Sequence, residues 1–162
     1  MITIADIQRK YIHGFQSALD SVSREKKYLI WTAAPPLAEV RAFVTGNIGS
    51  GNPQIVALDD GKVVGWCDII RNTRATKLHC GLLGMGLLPE YRGKGIGTRL
   101  ITEIMKQAAA RGFHRVELEV FEENSAALAL YRKVGFKEEG RKSHAVKIEG
   151  KYFNVVMMAI IL

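Results

Sequence analysis

The chain has 162 residues, of which 48% are apolar and 24% are charged. These values are typical of a globular protein, exclude disordered and fibrous classes, and allow one domain, 1–162, that buries about two-thirds of its unfolded surface. The net charge of +7 favours an anionic partner, which includes nucleic acid, an anionic membrane surface and a polyphosphate-bearing small molecule.

The two cysteines, Cys67 and Cys80, are too few for a disulfide framework and lack the paired spacing of a zinc site. We therefore expect no metal and a reducing, cytoplasmic location. The N-terminus lacks the basic start and apolar run of a secretory signal. The longest apolar run, residues 155–162, is far shorter than the roughly 20 residues that cross a bilayer. We interpret it as a buried strand and expect no membrane partner.

The first half of the chain predicts a strand, two helices and a hairpin. Residues 1–7 resemble a short strand, and apolar residues at helical spacing follow within 11–28. A second helix is predicted after Pro35-Pro36 and ends at the glycine-rich residues 46–52. Two β-rich runs are separated by Asp59-Asp60-Gly61, a strong hairpin signal.

Strands and helices alternate in the second half. The predicted elements are a strand at 78–88, a helix at 96–111, a strand at 115–121, a helix at 125–134 and a hairpin at 144–162. Gly112 and Gly135 end the two helices, Glu149-Gly150 forms the hairpin turn, and residues 138–142 are interpreted as a charged turn. Because hairpins dominate elsewhere, this order predicts an α/β fold with a mixed sheet rather than a doubly wound parallel one.

The segment PEYRGKGIGTRL, residues 89–100, has glycine at three alternate positions just before a helix. The start of a helix carries free backbone N–H groups and a partial positive charge, so it favours an anion. Glycine allows positive φ and lets an anion approach the backbone closely. With Arg92, Lys94 and Arg99 supplying mobile charge, the loop suits a pyrophosphate better than a carboxylate.

A tight strand-to-helix turn explains the same glycines equally well. Two phosphate-binding templates do not fit their spacing. A P-loop requires Lys-Ser or Lys-Thr after the last glycine, where this chain has Thr98-Arg99. The dinucleotide fingerprint requires Gly-x-Gly-x-x-Gly, and this chain has Gly-x-Gly-x-Gly.

Two motifs resemble the GNAT family of N-acetyltransferases. Arg92-x-x-Gly95-x-Gly97, preceded by GMGLLPEY and followed by an amphipathic helix, is similar to the family's acetyl-CoA signature. NSAALALYRKVGF, residues 124–136, is similar to a later family segment. The resemblance covers about residues 55–160, with no departure at the key cofactor positions. It implies a mixed, mostly antiparallel central sheet of about seven strands flanked by about four helices, with two central strands splayed apart.

The resemblance also implies acetyl-CoA as co-substrate. Main-chain groups of Met85, Gly86 and Leu87 would pair with the pantetheine and the acetyl carbonyl between the splayed strands. Asn124 would contact the pantetheine amides, cap the next helix, or do both. The other cofactor-binding residues lie at the glycine loop, whose amides would hold the pyrophosphate: Arg92, Gly93, Lys94, Gly95, Ile96, Gly97 and Thr98.

Acetyl transfer to an amine needs a neutral nucleophile and a departing thiolate that is protonated or otherwise stabilised. By resemblance, Tyr131 lies near the CoA sulfur and donates a proton or hydrogen bond to it, although its apolar surroundings in sequence also fit a core tyrosine. Glu119 corresponds to a carboxylate that accepts a proton in some family members. Because Glu117 shares its strand face, either glutamate also fits a solvated strand residue.

Other residues are weaker candidates. His79 and Asp68 belong to predicted strands that would edge the acceptor cleft, but a lone histidine or aspartate is more often structural. Three aromatic residues would either line the acceptor pocket or belong to the core: Trp66, Tyr152 and Phe153.

The sequence thus favours an acetyl-CoA-dependent N-acetyltransferase that moves the acetyl group directly to a primary amine of a small molecule or peptide. A covalent acetyl-enzyme is not expected, because neither cysteine has an obvious basic neighbour. The alternatives are a non-catalytic acyl-CoA sensor and a nucleic-acid-binding module. The second is disfavoured because basic residues are spread along the chain without a recognition motif. The fold is also compatible with a homodimer.

Overall fold

A computed structural model describes all residues, 1–162, as four helices and seven strands joined by short turns. The helices are α1 (Ile12–Arg24), α2 (Leu37–Ser50), α3 (Ile96–Ala110) and α4 (Ser125–Val134). The strands are β1 (Ile2–Asp6), β2 (Gln54–Asp59), β3 (Lys62–Arg71), β4 (Cys80–Leu87), β5 (Arg115–Phe121), β6 (Lys137–Ile148) and β7 (Lys151–Ile161).

The strands form one sheet in the order β1-β2-β3-β4-β5-β7-β6. Neighbouring strands are antiparallel except for β4 and β5, which are parallel. The pairing of β4 with β5 joins residues 80–82 to residues 115–117 and then stops. The predicted mixed, mostly antiparallel sheet with splayed central strands is therefore confirmed.

The helices cover both faces of the sheet. α1 buries a stripe with the spacing of the helical repeat: Ile12, Phe15, Ala18 and Val22. Phe15 packs edge-on against Trp66 of β3, with ring centroids 5.7 Å apart, and so defines the α1 face of the sheet. On the opposite face, the α3 face, a Cβ added to Gly97 would lie 3.6 Å from Leu87 Cδ1 of β4. None of the helices is both long and apolar enough to cross a membrane.

Side chains along β3 alternate between these two faces. Trp66 and Asp68 point to the α1 face, and Cys67 points to the α3 face. β4 has a glycine directly opposite each of the first two, Gly86 opposite Trp66 and Gly84 opposite Asp68. A Cβ on Gly86 would lie 2.3 Å from the Trp66 ring, so the ring can occupy this position only above a glycine.

Two tight turns confirm the predicted hairpins. In the β2–β3 turn φ is 46° at Asp60 and 85° at Gly61, and in the β6–β7 turn it is 49° at Glu149 and 81° at Gly150. Two consecutive residues with positive φ are typical of the turn whose twist matches that of the adjoining strands.

Two local predictions are wrong. Residues 138–142 do not form a turn but belong to β6, which runs along β7 with register shifts at 138/140 and 142/146. Charges of this segment form ion pairs with residues outside β6, as Arg141 does with Glu122 just after β5, so an exposed edge strand explains them as well as a turn does. His79 precedes β4 instead of lying on it, and its carbonyl accepts hydrogen bonds from the amides of His114 and Arg115.

Candidate active site

A cavity opens where β4 and β5 diverge. Past Leu82, the edge of β4 that faces β5 has no strand partner, and a cavity of about 400 Å³ lies beside it. β4 lines this cavity with residues 83–87, and β5 with Glu119 and Val120. An unpaired strand edge in a largely apolar cavity offers hydrogen bonds to an extended chain that carries amide groups. The predicted residues Met85, Gly86 and Leu87 all lie on this edge.

The glycine loop forms one end of the cavity. Gly93 and Gly95 have φ of 71° and 78°, a conformation that side-chain-bearing residues rarely adopt. Gly95 is the N-cap of α3, and no side chain caps the first turn of this helix. Free N–H groups therefore remain at the helix start, as an anion site requires.

Gly97 differs from these two glycines because it lies inside α3. Its missing side chain leaves room for Leu130 of α4, whose Cδ2 would lie 3.2 Å from an added Cβ, and for Leu87 and Met85 of β4. Close packing of the helix on the sheet, rather than positive φ, therefore explains this glycine. Its neighbour Ile96 is buried in the core, so only its backbone is available to a ligand.

The side chain of Arg92 forms a salt bridge with Glu25 at the end of α1. Its guanidinium donates to both carboxylate oxygens of Glu25 at 2.9 and 2.5 Å, and its Nε donates to the Leu87 carbonyl at 2.9 Å. The group also lies over the ring of Tyr28. Arg92 lines the cavity, but in this arrangement it anchors the glycine loop to α1 instead of supplying the mobile charge that the sequence suggested.

A shallower, polar depression of about 800 Å³ adjoins the cavity at Gly95 and Thr98, which line both. Its cationic residues are Lys94, Arg99, Lys106 and Lys133. Lys94 lies outside the cavity itself, with its ammonium near the ring of Tyr91. The glycine loop therefore separates an apolar cavity from a cationic surface.

Tyr131 of α4 lies in the wall of the cavity and is almost fully buried. Burial raises the pKa of its phenol well above the usual value, and the nearby Cys67 raises it further. Its hydroxyl has no hydrogen-bond partner within the chain. A phenol with a raised pKa stays protonated at neutral pH, so it is a proton or hydrogen-bond donor to an anion formed in the cavity.

Asn124 begins α4 and lines the same cavity. Its Oδ1 accepts a hydrogen bond from the amide of Ala127 at 3.2 Å, which is the N-cap interaction. Because the cap uses only the oxygen, the side-chain NH₂ group is left for a ligand. The two predicted roles of this residue are therefore compatible.

Glu119 lies at the mouth of the cavity on β5. It is 49% exposed and forms an ion pair with Lys142 of β6. Glu117, on the same strand face, pairs with Arg115 at 2.8 Å and does not line the cavity. An amine that used Glu119 as its base would first have to displace Lys142.

The other weak candidates lie at different places in the fold, and none of them lines the cavity. Asp68 is buried on the α1 face with no hydrogen-bond partner, and burial raises its pKa to about 7. His79 lies near His114, at the paired end of β4 and β5 and away from the cavity. The three aromatic residues do not line the cavity: Trp66 packs on Phe15, Phe153 stacks on Phe121, and Tyr152 is exposed beside His144.

Sequence reasoning missed the apolar wall of the cavity. Val22 at the end of α1 and Tyr28 and Leu29 in the loop that follows form this wall. Val22 belongs to the buried stripe of α1 and so carried a core signal only. The two loop residues follow no periodic pattern, and no sequence signal points to them.

Comparison with known proteins agrees with this geometry. The family model described as "Acetyltransferase (GNAT) family" matches residues 21–136. The N-alpha-acetyltransferase RimI of Mycobacterium tuberculosis is 38% identical over 116 residues, which are 72% of this chain and 69% of that protein. The L-amino acid N-acetyltransferase AaaT of Escherichia coli is 32% identical over 111 residues, 67% and 68% of the two chains.

The fold is also found in a solved structure. A GNAT superfamily phosphinothricin acetyltransferase from Sinorhizobium meliloti, in complex with AcCoA, superposes with a TM-score of 0.94 over 99% of this chain and 88% of that chain, at 24% identity. At this identity the likeness concerns the fold alone. Because the family model matches most of this chain, residues 21–136, the chain belongs to the acetyltransferase (GNAT) family of N-acetyltransferases.

Proposed function

We propose that this protein transfers the acetyl group of acetyl-CoA directly to a primary amine within a ternary complex. One observation carries the proposal: a single cavity connects the uncapped start of α3, the unpaired edge of β4 and the buried phenol of Tyr131. An anion site, an edge that pairs with amides and a proton donor are the three groups that a thioester donor with a diphosphate requires.

The donor would lie along this cavity from end to end. Its diphosphate would accept hydrogen bonds from backbone N–H groups of residues 93–98, where the partial positive charge of α3 is greatest. Lys94 and Lys133 in the adjoining polar depression have no carboxylate partner and are free to meet phosphate oxygens. The pantetheine would pair with β4 at residues 85–87 and with the NH₂ group of Asn124.

Tyr131 would protonate the sulfur as the thioester breaks. A direct transfer is favoured over an acetyl-cysteine because both cysteines are buried and neither lines the cavity. Burial and the neighbouring Asp68 raise the pKa of Cys67 well above its usual value, so little nucleophilic thiolate is present at neutral pH. The free, buried cysteines also support a reducing cytoplasm as its compartment.

The acceptor is proposed to be an α-amine of a small molecule or peptide. Both relatives above are named for such groups, one for N-alpha-acetylation and the other for L-amino acids. An α-amine has a pKa of roughly 7.7–8.0, so about a tenth of it is neutral at pH 7, compared with about one molecule in a thousand for a lysine-like amine.

Two measurements test the proposal in sequence. Isothermal titration of the purified protein with acetyl-CoA should give saturable binding, and no heat at millimolar ligand would contradict it. Detection of free thiol during incubation with acetyl-CoA and a panel of amino acids, peptides and polyamines should then identify an acceptor, with the acetylated amine confirmed by mass spectrometry. Binding of acetyl-CoA without thiol release from any amine would instead indicate a sensor.

A further inference from the structure

Asp68, in the middle of β3, is a buried carboxylate without a partner. It is 7% exposed, accepts no hydrogen bond within the chain and has no cation within ion-pair distance. Burying a charge without compensation is costly, because water is removed and nothing replaces it. Burial is the one cause of the raised pKa of this group, about 7, which shows that no neighbour offsets the cost.

The carboxylate faces the cavity across Gly84. Asp68 pairs with Gly84 in the register of β3 and β4, and a Cβ on Gly84 would lie 3.4 Å from Asp68 Oδ1. Gly84 itself lines the cavity. On this face, therefore, the Asp68 carboxylate lies directly behind Gly84 in the cavity wall, and the glycine has no side chain that would cover it.

A second unpartnered polar group lies on the adjacent strand. Gln54 of β2 is directly opposite Asp68 in register, is 2% exposed, and its Nε2 has no hydrogen-bond partner. Its Oε1 accepts from Asn47 Nδ2 at 2.9 Å, which holds the amide with Nε2 free. Two neighbouring strands thus place an acceptor and a donor, both unused, on the α1 face beside the cavity.

We propose that Asp68 accepts the proton of the acceptor amine, and that the ammonium group of the acceptor binds over Gly84. The inference rests on the proposed function and deepens it, because it defines the acceptor as an amine that arrives protonated, which an aliphatic amine does and an aromatic amine does not. Glu119 is less suited to this role, since it is half exposed and already neutralised by Lys142.

The ammonium nitrogen loses one proton to Asp68, and its lone pair forms the C–N bond with the thioester carbonyl carbon. The C–S bond breaks, and its electron pair leaves on sulfur. The second proton that the nitrogen gives up reaches this sulfur by way of the Tyr131 hydroxyl. The proton on Asp68 then passes to solvent, so each turnover yields one amide, one CoA thiol and one free proton.

β3 and β4 keep the two proton-handling groups on opposite faces. Asp68 points to the α1 face, whereas its neighbour Cys67 points to the α3 face and raises the pKa of Tyr131 there. Burial alone raises the pKa of Asp68, and no titratable group around it contributes: β2 presents Gln54, β4 presents Gly84, and the buried side chains of α1, α2 and α3 are not titratable. In this proposal the amine gives its proton to a group on the α1 face, and the sulfur receives its proton from a group on the α3 face.

Asp68→Asn tests the proposal, because it keeps the shape of the side chain and removes the proton acceptor. We expect kcat/KM for the best acceptor amine to fall by about 100-fold. The Kd of acetyl-CoA, measured by titration calorimetry, should change by less than about threefold, because Asp68 does not line the cavity. Asp60→Asn is the matched control: the same change at a 94% exposed turn residue should leave both quantities unaltered.

A pair of substrates separates proton transfer from a structural role. The loss in Asp68→Asn should be smaller for an analogue of the best acceptor whose amine pKa is lowered by fluorine on the adjacent carbon, because that amine needs less help to become neutral. Activity of Asp68→Asn within about threefold of the wild type would overturn the proposal. An equal loss for both amines, or weakened acetyl-CoA binding, would also overturn it.

Gly84→Ala gives a second, independent test. The added methyl group makes an ordinary contact with Asp68 Oδ1 and fills the space in which the ammonium is proposed to bind. We expect kcat/KM for the amine to fall by about tenfold, and little further loss when this change is added to Asp68→Asn. Unchanged amine kinetics in Gly84→Ala would overturn the proposal. Wild-type protein that releases no thiol with any amine would overturn both this inference and the proposed function.

Discussion

At the scale of single residues, burial determines which protonation states the cavity contains. Tyr131 and Asp68 are both acids, and removal from water raises the pKa of both. The consequences differ because the starting values differ. The phenol keeps its proton at neutral pH with or without burial, whereas the pKa of the carboxyl group is brought close to neutral pH, where the group can both take up and release a proton.

Tyr131→Phe should lower kcat by about 100-fold, because it removes the proposed proton donor to the departing sulfur. The Kd of acetyl-CoA should change by less than about threefold and the free energy of unfolding by less than about 0.5 kcal/mol, since the hydroxyl has no partner within the chain. Thiol-release kinetics, titration calorimetry and urea denaturation measure the three quantities. Tyr11→Phe, outside the cavity, is the control, and an unchanged kcat in Tyr131→Phe would refute the assigned role.

At the scale of secondary-structure elements, the start of α3 is prepared for a ligand. Gly95 holds the left-handed conformation that turns the chain into the helix, and no side chain occupies the free N–H groups. α4 differs, because Asn124 caps it. The first turn of α3 therefore reaches the cavity with its backbone N–H groups free of side-chain caps.

Gly95→Ala should destabilise the protein by about 1–2 kcal/mol, because an alanine at φ of 78° brings its Cβ too close to the backbone. It should also weaken acetyl-CoA binding by about tenfold or more, since relaxation of the loop turns N–H groups away from the diphosphate. Gly46→Ala, on the exposed side of α2, is the matched control and should instead stabilise by about 0.5–1 kcal/mol. Urea denaturation and calorimetry distinguish the pair, and equal effects would contradict the argument.

At the scale of the whole molecule, buried polar groups at the proposed site lower the free energy of unfolding. Two polar groups in the centre of the sheet, the carboxylate of Asp68 and Nε2 of Gln54, have no hydrogen-bond partner within the chain. Unfolding would return the carboxylate to water, so its burial opposes folding of the entire chain. Functional sites commonly carry such a cost in stability.

This cost should appear as pH-dependent stability. The pKa of Asp68 is about 7 in the folded protein and roughly 3.9 in an unfolded chain. Between these values the folded state binds a proton that the unfolded state releases, so the free energy of unfolding decreases as the pH rises, by up to ~1.4 kcal/mol per pH unit. Asp68→Asn lacks this titration. Its stability relative to the wild type should therefore increase from pH 4 to pH 7 and then level off, and parallel urea-denaturation profiles would exclude the effect.

The parts of the molecule that the sequence predicted correctly depend on short-range patterns. The α3 stripe of Ile96, Leu100 and Ile104, and the Asp60-Gly61 turn, can be recognised within a few residues of chain. The parts that it could not predict depend on long-range contacts. Arg92 meets Glu25 across 67 residues, and Asp68 faces the cavity only because β3 and β4 pair in one register. No local spacing encodes either contact.

The short pairing between β4 and β5 has a consequence for the life of the protein in a cell. Past residue 82 there is a gap between β4 and β5, where the backbone N–H and C=O groups of β4 that face β5 have no hydrogen-bond partner on that strand. If acetyl-CoA fills this gap as proposed, it closes the sheet, and folded protein gains stability in proportion to the logarithm of the donor's concentration. When acetyl-CoA is scarce, less of the protein would be stabilised in this way, so it would unfold locally and be degraded more readily. The amount of enzyme in the cell would then rise and fall with the concentration of its donor.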